Sequence, residues 1–349
     1  MIKTKAAVLF NLNKPLKIIE FNLPSPKKGE ILVKIQASGI CHTQLLEIEG
    51  KNATGSYCPN LMGHEGSGIV CSVGSGVSKV KKGDHVVLSW IKGSGSNVIP
   101  KPIKYKNMII NRGPVTTFSE YSVVSENRVT KINKKMPLKL ASLLGCAVPT
   151  GMGMIFNNAK LKKNSTLLCF GCGGVGINAI HAAKILNAKI IVAVDKNDYK
   201  LIKAKYFGAT HTINPSKENL NKKIMKITNN FGLDYAIDTV GKKETMEFVY
   251  NHVKKNSGKA ILCGVPNPKG LKINIDPFPL YYGKKISGTG GGETNTDIEL
   301  PKYCKMYSDK ILLLEEMITH KLGLIDINKG IDLMKKGKCL RVLIDMEIN

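Results

Sequence analysis

The sequence predicts an α/β plus β-rich protein, a domain of many short strands interrupted by an inserted, doubly wound parallel sheet. Three observations carry this. Up to about residue 150 the chain is rich in Gly and Val, with short apolar runs punctuated by Pro and Gly. Beyond Thr150, strand-like runs alternate with helical segments, the pattern of a parallel sheet. After Gly292 the chain returns to helical stretches and one closing strand, Leu340 to Asp345. At 349 residues two domains are expected, because single cores stop growing at roughly 250–300 residues. The expected division is 1–148 with 291–349 for the β-rich domain and 149–290 for the inserted one.

The elements follow in order. Ala6 to Phe10, Ile31 to Ile35 and His85 to Leu88 read as strands, separated by Pro24, Pro26, Gly29, Gly63, Gly74 and Gly83. In the inserted part, Thr166 to Phe170 reads as a strand, Ile177 to Leu186 as a helix and Lys189 to Val194 as a second strand. Asp234 to Asp238 and Ala260 to Val265 continue the series.

Composition narrows the function classes. Hydrophobic residues at 43% and charged ones at 22% are ordinary for a globular enzyme. No apolar run reaches the roughly 20 residues that cross a bilayer, and no signal-peptide pattern opens the chain, so a cytoplasmic protein without a membrane role is expected. The nine cysteines are odd in number and partly in apolar strands, which argues against a disulfide framework and for burial or metal ligation. The formal charge of +26 is almost all lysine. It permits an anionic substrate or nucleic acid, but the lysines are scattered, without polybasic blocks or interleaved aromatics, so nucleic acid is not the expected partner. Lys92, Lys101, Lys104 and Lys106 follow Trp90 and are candidates for a positive rim that would steer anions.

The strongest local signal is Gly171-Cys172-Gly173-Gly174-Val175-Gly176, a G-x-G-x-x-G between an apolar strand and a helix. The unit from Leu167 to Asp195 has about the 30 residues of a βαβ dinucleotide site. Gly171 permits the tight turn, Gly173 lets a pyrophosphate approach, and Gly176 lets helix pack on strand. The phosphates would then meet unpaired N–H groups at the helix start. Asp195 lies 19 residues past Gly176, where its carboxylate accepts from ribose hydroxyls and repels a 2′-phosphate, favouring NAD over NADP.

Two glycine-flanked segments carry metal-ligand residue types, Gly39-Ile40-Cys41-His42-Thr43 and Gly63-His64-Glu65-Gly66-Ser67-Gly68. One Cys or His alone is usually structural. A catalytic zinc needs three N/S ligands and an open fourth position, and Cys146 in Leu144-Gly145-Cys146 is the third candidate.

With these motifs, with 207–215 (F-G-A-T-H-T-I-N-P), 264–266 (G-V-P) and the end strand at Leu340-Arg341-Val342, the chain resembles the zinc-containing medium-chain alcohol dehydrogenases over nearly its whole length. The resemblance implies a GroES-like catalytic domain with an inserted Rossmann domain, and a homodimer or homotetramer. It implies Cys41, His64 and Cys146 as ligands of one catalytic zinc, with Glu65 a carboxylate able to approach the metal. Thr43 would hold the alcohol proton, and Trp90 and Phe118 would wall the substrate pocket. His42 and Arg341 would bind the pyrophosphate, Asp195 and Lys200 the ribose. Thr150, Gly174, Val175, Val240 and Val265 complete the implied cofactor contacts. Zinc lowers the pKa of a bound alcohol, whose carbon passes hydride to nicotinamide. The substrate class is a primary or secondary alcohol or its aldehyde or ketone, polyols and sugar derivatives included.

The chain departs from that family in three places. No Cys lies between Cys71 and Cys146, so a second, structural zinc is not expected. Gln44 stands where relatives carry an Asp that orients the zinc-bound His; it can accept the same bond without a charge. Leu46 stands where a His ends the proton relay of the liver-type enzymes, so the proton needs another exit. Two rival functions share parts of this pattern. A zinc-free quinone or enoyl reductase would lack the Cys/His/Cys set, and a basic nucleic-acid-binding protein would not need Asp195.

Overall fold

The computed structural model describes residues 1–51, 57–268 and 270–348. The chain forms two compact units, Met1–Pro149 with Asn295–Asn349, and Thr150–Thr294. Both ends of the chain thus belong to the first unit.

The first unit is built on two sheets. One has the order Lys17–Leu23, Ile2–Leu9, Asn60–Leu61, Met108–Arg112, Ile103–Tyr105. The other runs Val129–Lys131, His85–Ser89, Glu65–Val73, Glu30–Ile40, Arg341–Asp345, Ile318–Leu322, with Tyr121–Ser125 also paired to Glu30–Ile40. Alternation in Glu30–Ile40 and His85–Ser89 turns Ile31, Val33, Ile35, Val86 and Leu88 inward against Val70, Val124 and Val129. The closing strand lies antiparallel to the end of Glu30–Ile40, Val342 opposite Ile40. That pairing carries Arg341 to the point where the chain leaves the sheet at Cys41.

The second unit is one parallel sheet of six strands, in spatial order His211–Ile213, Ile190–Val194, Thr166–Phe170, Tyr235–Asp238, Lys259–Leu262, Lys285–Gly288. In chain order these are the third, second, first, fourth, fifth and sixth, the doubly wound Rossmann arrangement. Near-continuous apolar strands such as Ile190–Val194 follow from helices covering both faces. Leu168, Val192, Ile213, Ala236 and Val249 pack on one side, closed by Tyr250. The order reverses between Thr166–Phe170 and Tyr235–Asp238, so the switch point opens at Gly171.

The helix after the glycine motif spans Gly174–Ile185, starting three residues before the expected Ile177. Gly174, Val175 and Gly176 are its first turn, which glycine's low helix propensity conceals from the apolar pattern. No single helix among the described residues is long and apolar enough to cross a membrane.

Candidate functional site

In the first unit, three separate chain segments converge on one point. Cys41 caps the short helix His42–Ile48 as the chain leaves Glu30–Ile40. His64 immediately precedes Glu65–Val73, and Cys146 follows the turn Ser142–Gly145. Ser89 ties that turn down, its Oγ donating to Gly145 O at 2.6 Å. The donor atoms of Cys41, His64 and Cys146 all lie within 4.8 Å of one another, the one such group found among the described residues.

The spacing fits zinc. Tetrahedral bonds of about 2.3 Å to sulfur and 2.05 Å to nitrogen place two sulfurs roughly 3.8 Å apart, and sulfur and nitrogen roughly 3.6 Å apart. Cys41 Sγ and Cys146 Sγ are 4.0 Å apart, and His64 Nε2 is 3.3 Å from Cys146 Sγ. Cys146 and the nearby His64 ring hold the Cys41 thiol well below the usual thiol range against its burial. Cys169 and Cys172, in the other unit, are pushed well up by burial and by neighbouring charges such as Asp195. The direction of the shift, toward the form a metal requires, separates Cys41 from Cys169 and Cys172.

The surroundings place some of the expected residues at this centre and others away from it. Thr43 Oγ1 lies 3.7 Å from Cys41 Sγ, at the metal centre. Trp90 is partly exposed, and its indole Nε1–H donates to Cys146 Sγ at 3.3 Å. His42 is exposed, whereas Leu46 is buried. Glu65 is fully buried and ion-paired with Arg341 Nη2, and its other oxygen accepts from Ala147 N–H at 3.4 Å. The structure thus places Glu65 beside the ligand group and outside it, with its charge engaged by Arg341.

Two expectations are corrected, those for Phe118 and for the lysines after Trp90. Phe118 is not a pocket wall: it has no exposed surface and packs with Leu9, Ile40 and Met62 in the core. Gln44 meets the His64 ring through its amide nitrogen here. Its Oε1 takes the Cys41 N–H at 2.8 Å, closing the helix N-terminus, which turns the amide Nε2 to within 2.5 Å of His64 Nδ1. For His64 to offer Nε2 to a metal its proton sits on Nδ1, and Gln44 must then turn its oxygen to the ring. Lys104 and Lys106 do not rim the centre either. The chain beyond Trp90 runs into the hairpin Ile103–Tyr105 and Met108–Arg112, where both lysines line a groove with Met1, Phe21 and Pro24.

In the second unit the expected cofactor residues gather at the carboxyl ends of the parallel strands, where ligands of open α/β sheets bind. Gly171 has φ of +95°, and a Cβ there would lie 2.5 Å from Thr239 Oγ1. At Gly176 a Cβ would collide with Gly171 O, so only glycine lets the helix approach the strand. The space around a Cβ on Gly173, by contrast, is open. Asp195 ends Ile190–Val194 and braces the turn, Oδ2 accepting from Cys172 N–H and Oδ1 from Asn197 N–H, each at 2.9 Å. Lys200 lies near enough to act on the Cys172 thiol. Val240 sits against Gly171, and the loops bearing Val240 and Val265 pack backbone to backbone through Gly241 and Gly264. The Thr150 hydroxyl is buried without a hydrogen-bond partner among the described residues.

Asp238 was missed by the sequence reading. Fully buried at a strand end, it accepts from Gly241 N–H at 2.9 Å and Val240 N–H at 3.3 Å, and burial raises its pKa. It fixes the loop that carries Val240. The signal available was the Asp-Thr-Val-Gly run after an apolar strand.

A Cys/His/Cys set of zinc geometry in one unit, with a glycine-turn dinucleotide fold in the other, defines a zinc-dependent oxidoreductase. The GroES-like alcohol dehydrogenase domain matches residues 27–134, and the zinc-binding dehydrogenase domain matches 174–306. The chain is 34% identical to an S-(hydroxymethyl)glutathione dehydrogenase of Paracoccus denitrificans, over 98% of this chain and all of that one. It is 35% identical to an alcohol dehydrogenase 6 of Peromyscus maniculatus, covering 99% and 98%. Among solved structures, a benzyl alcohol dehydrogenase from Acinetobacter calcoaceticus superposes with a TM-score of 0.90 at 28% identity, each chain fully covered. The chain belongs to the zinc-containing alcohol dehydrogenase family, and it is a zinc- and NAD-linked enzyme acting on a small-molecule alcohol.

Proposed function

We propose that this enzyme oxidises a primary or secondary alcohol with NAD in preference to NADP, using Cys41, His64 and Cys146 to hold one zinc. The observation that carries the reading is the convergence of those three donors at distances that suit tetrahedral zinc. Zinc held there supplies a Lewis acid that lowers the pKa of an alcohol. The Thr43 hydroxyl, at the same centre, would take the alcohol proton while passing its own onward, and NAD bound in the second unit would supply the acceptor for the carbinol hydride. Trp90 walls the alcohol, and its N–H steadies the Cys146 thiolate. Glu65 holds Arg341 in place for the cofactor pyrophosphate, with His42 a second, exposed hydrogen-bond donor for the same group.

Asp195 supports NAD, because a fixed carboxylate beside the glycine turn accepts from both ribose hydroxyls and repels a 2′-phosphate. Gly173 leaves room for the pyrophosphate, and Gly174 and Val175 start the helix whose N–H groups face it. Lys200 bonds the ribose, Val240 and Val265 flank the dinucleotide, and the unpaired Thr150 hydroxyl is left for the nicotinamide. We further propose a cytoplasmic homodimer or homotetramer. A screen of alcohols and aldehydes followed by NADH absorbance tests the reaction. Absence of turnover of any alcohol or carbonyl compound by zinc-loaded protein would refute it.

A further inference from the structure

We propose that Arg128 binds an oxyanion, a carboxylate or phosphate, carried by the alcohol substrate. The inference deepens the dehydrogenase reading and rests on it. Arg128 ends the turn Glu126–Arg128 and is only 8% exposed. Its guanidinium makes one hydrogen bond, from Nη1 to the Trp90 carbonyl, while Nε is buried without a partner. No carboxylate among the described residues pairs with it. The two acids of neighbouring segments are committed elsewhere. Glu126 accepts from the backbone N–H groups of Ser78, Lys79 and Ser96. Asp297 pairs with Lys79 and accepts from Ser94 N–H. Burial alone acts on the Arg128 pKa, lowering it, which is the mark of a desolvated cation without a counter-ion.

Trp90 connects this cation to the metal centre. Val129 pairs with Leu88, and both point into the core. The turn that carries Arg128 ends where that pairing begins, and the Arg128 Nη1 reaches the Trp90 carbonyl, one residue past Ser89, which itself pairs with Glu65. Ser89 anchors the turn before Cys146, and Glu65 adjoins the ligand group. Trp90 joins the two ends, its indole on Cys146 Sγ and its carbonyl on Arg128. An alcohol at the zinc and an anion at Arg128 would lie at opposite ends of one tryptophan residue. A buried guanidinium costs several kcal/mol of desolvation unless compensated, and its planar fork matches carboxylate and phosphate. Arg128 also does what the hairpin lysines cannot, since Lys104 and Lys106 line another groove.

The test is a selectivity ratio on zinc-loaded enzyme. kcat/KM is measured for ω-hydroxyalkanoates from 4-hydroxybutanoate to 10-hydroxydecanoate, for ω-hydroxyalkyl phosphates, and for n-alkanols of matching length. One chain length of one anionic series should exceed its alkanol. Arg128→Gln should lower that anion-to-alkanol ratio roughly ten- to hundredfold, the value of a charged hydrogen bond, and Arg128→Lys should lower it less. Because a ratio cancels general losses of folding or metal, a damaged variant still reads correctly. An unchanged ratio in Arg128→Gln, or no anionic alcohol better than its alkanol at any length, would overturn the proposal while alkanol turnover left the dehydrogenase standing. Failure to oxidise every alcohol would instead count against the enzyme reading itself.

Discussion

Replacing Glu65 by Gln should destabilise the first unit severely. The Glu65 side chain is 0% exposed and that of Arg341 4%, so neither charge reaches water. Gln keeps the shape and removes the charge, which leaves the buried Arg341 guanidinium without its carboxylate and with Cys41 as its remaining partner. Breaking one partner of such a pair costs about 3–5 kcal/mol. With m near 3 kcal/mol per molar, the urea midpoint should fall by roughly 1–1.7 M. Trp90 is the sole tryptophan and lies in this unit, so its fluorescence follows this unit's unfolding without interference from the other. The experiment is run on metal-depleted protein to separate stability from zinc binding. The double variant Glu65→Gln/Arg341→Met, which buries no lone charge, should recover most of the loss. A single variant within about 0.3 M of the parent, or a double whose losses add, would refute the buried-pair argument.

Other outcomes follow from the same geometry. Cys146→Ser should lose zinc and nearly all turnover, while NADH still binds, as fluorescence titration of the cofactor would show. Asp195→Asn should weaken NAD binding by roughly one to two decades through loss of a charged acceptor, and narrow the gap to NADP in steady-state kinetics. Gln44→Ala should weaken zinc binding about 10–100-fold, measured by competition with a chelator, because His64 loses the group at Nδ1.

The parallel sheet was readable in advance because burial on both faces leaves continuous apolar runs, so Thr166–Phe170 and Ile190–Val194 stand where the pattern puts them. The helix start was not, since Gly174 and Gly176 are chosen for backbone clearance and carry no apolar signal. At the metal centre, residue type revealed Cys41, His64 and Cys146, whose chemistry is rare enough to be conspicuous. The turn of the Gln44 amide and the burial of Phe118 were hidden from the sequence for a common reason. Which way an amide turns depends on a competing N–H, here that of Cys41, and whether a ring lines a pocket or a core depends on neighbours distant in sequence, here Leu9 and Met62. The Arg128 site has no local motif at all; it exists only through strand pairing with His85–Ser89 and the commitment of Glu126 and Asp297 elsewhere.

The most direct test of the account is zinc content measured together with alcohol oxidation on the same purified preparation. The structure predicts about one zinc per chain, lost in step with NAD-dependent alcohol oxidation as a chelator removes it and restored with it on adding zinc back. Full alcohol oxidation by protein without zinc would contradict it.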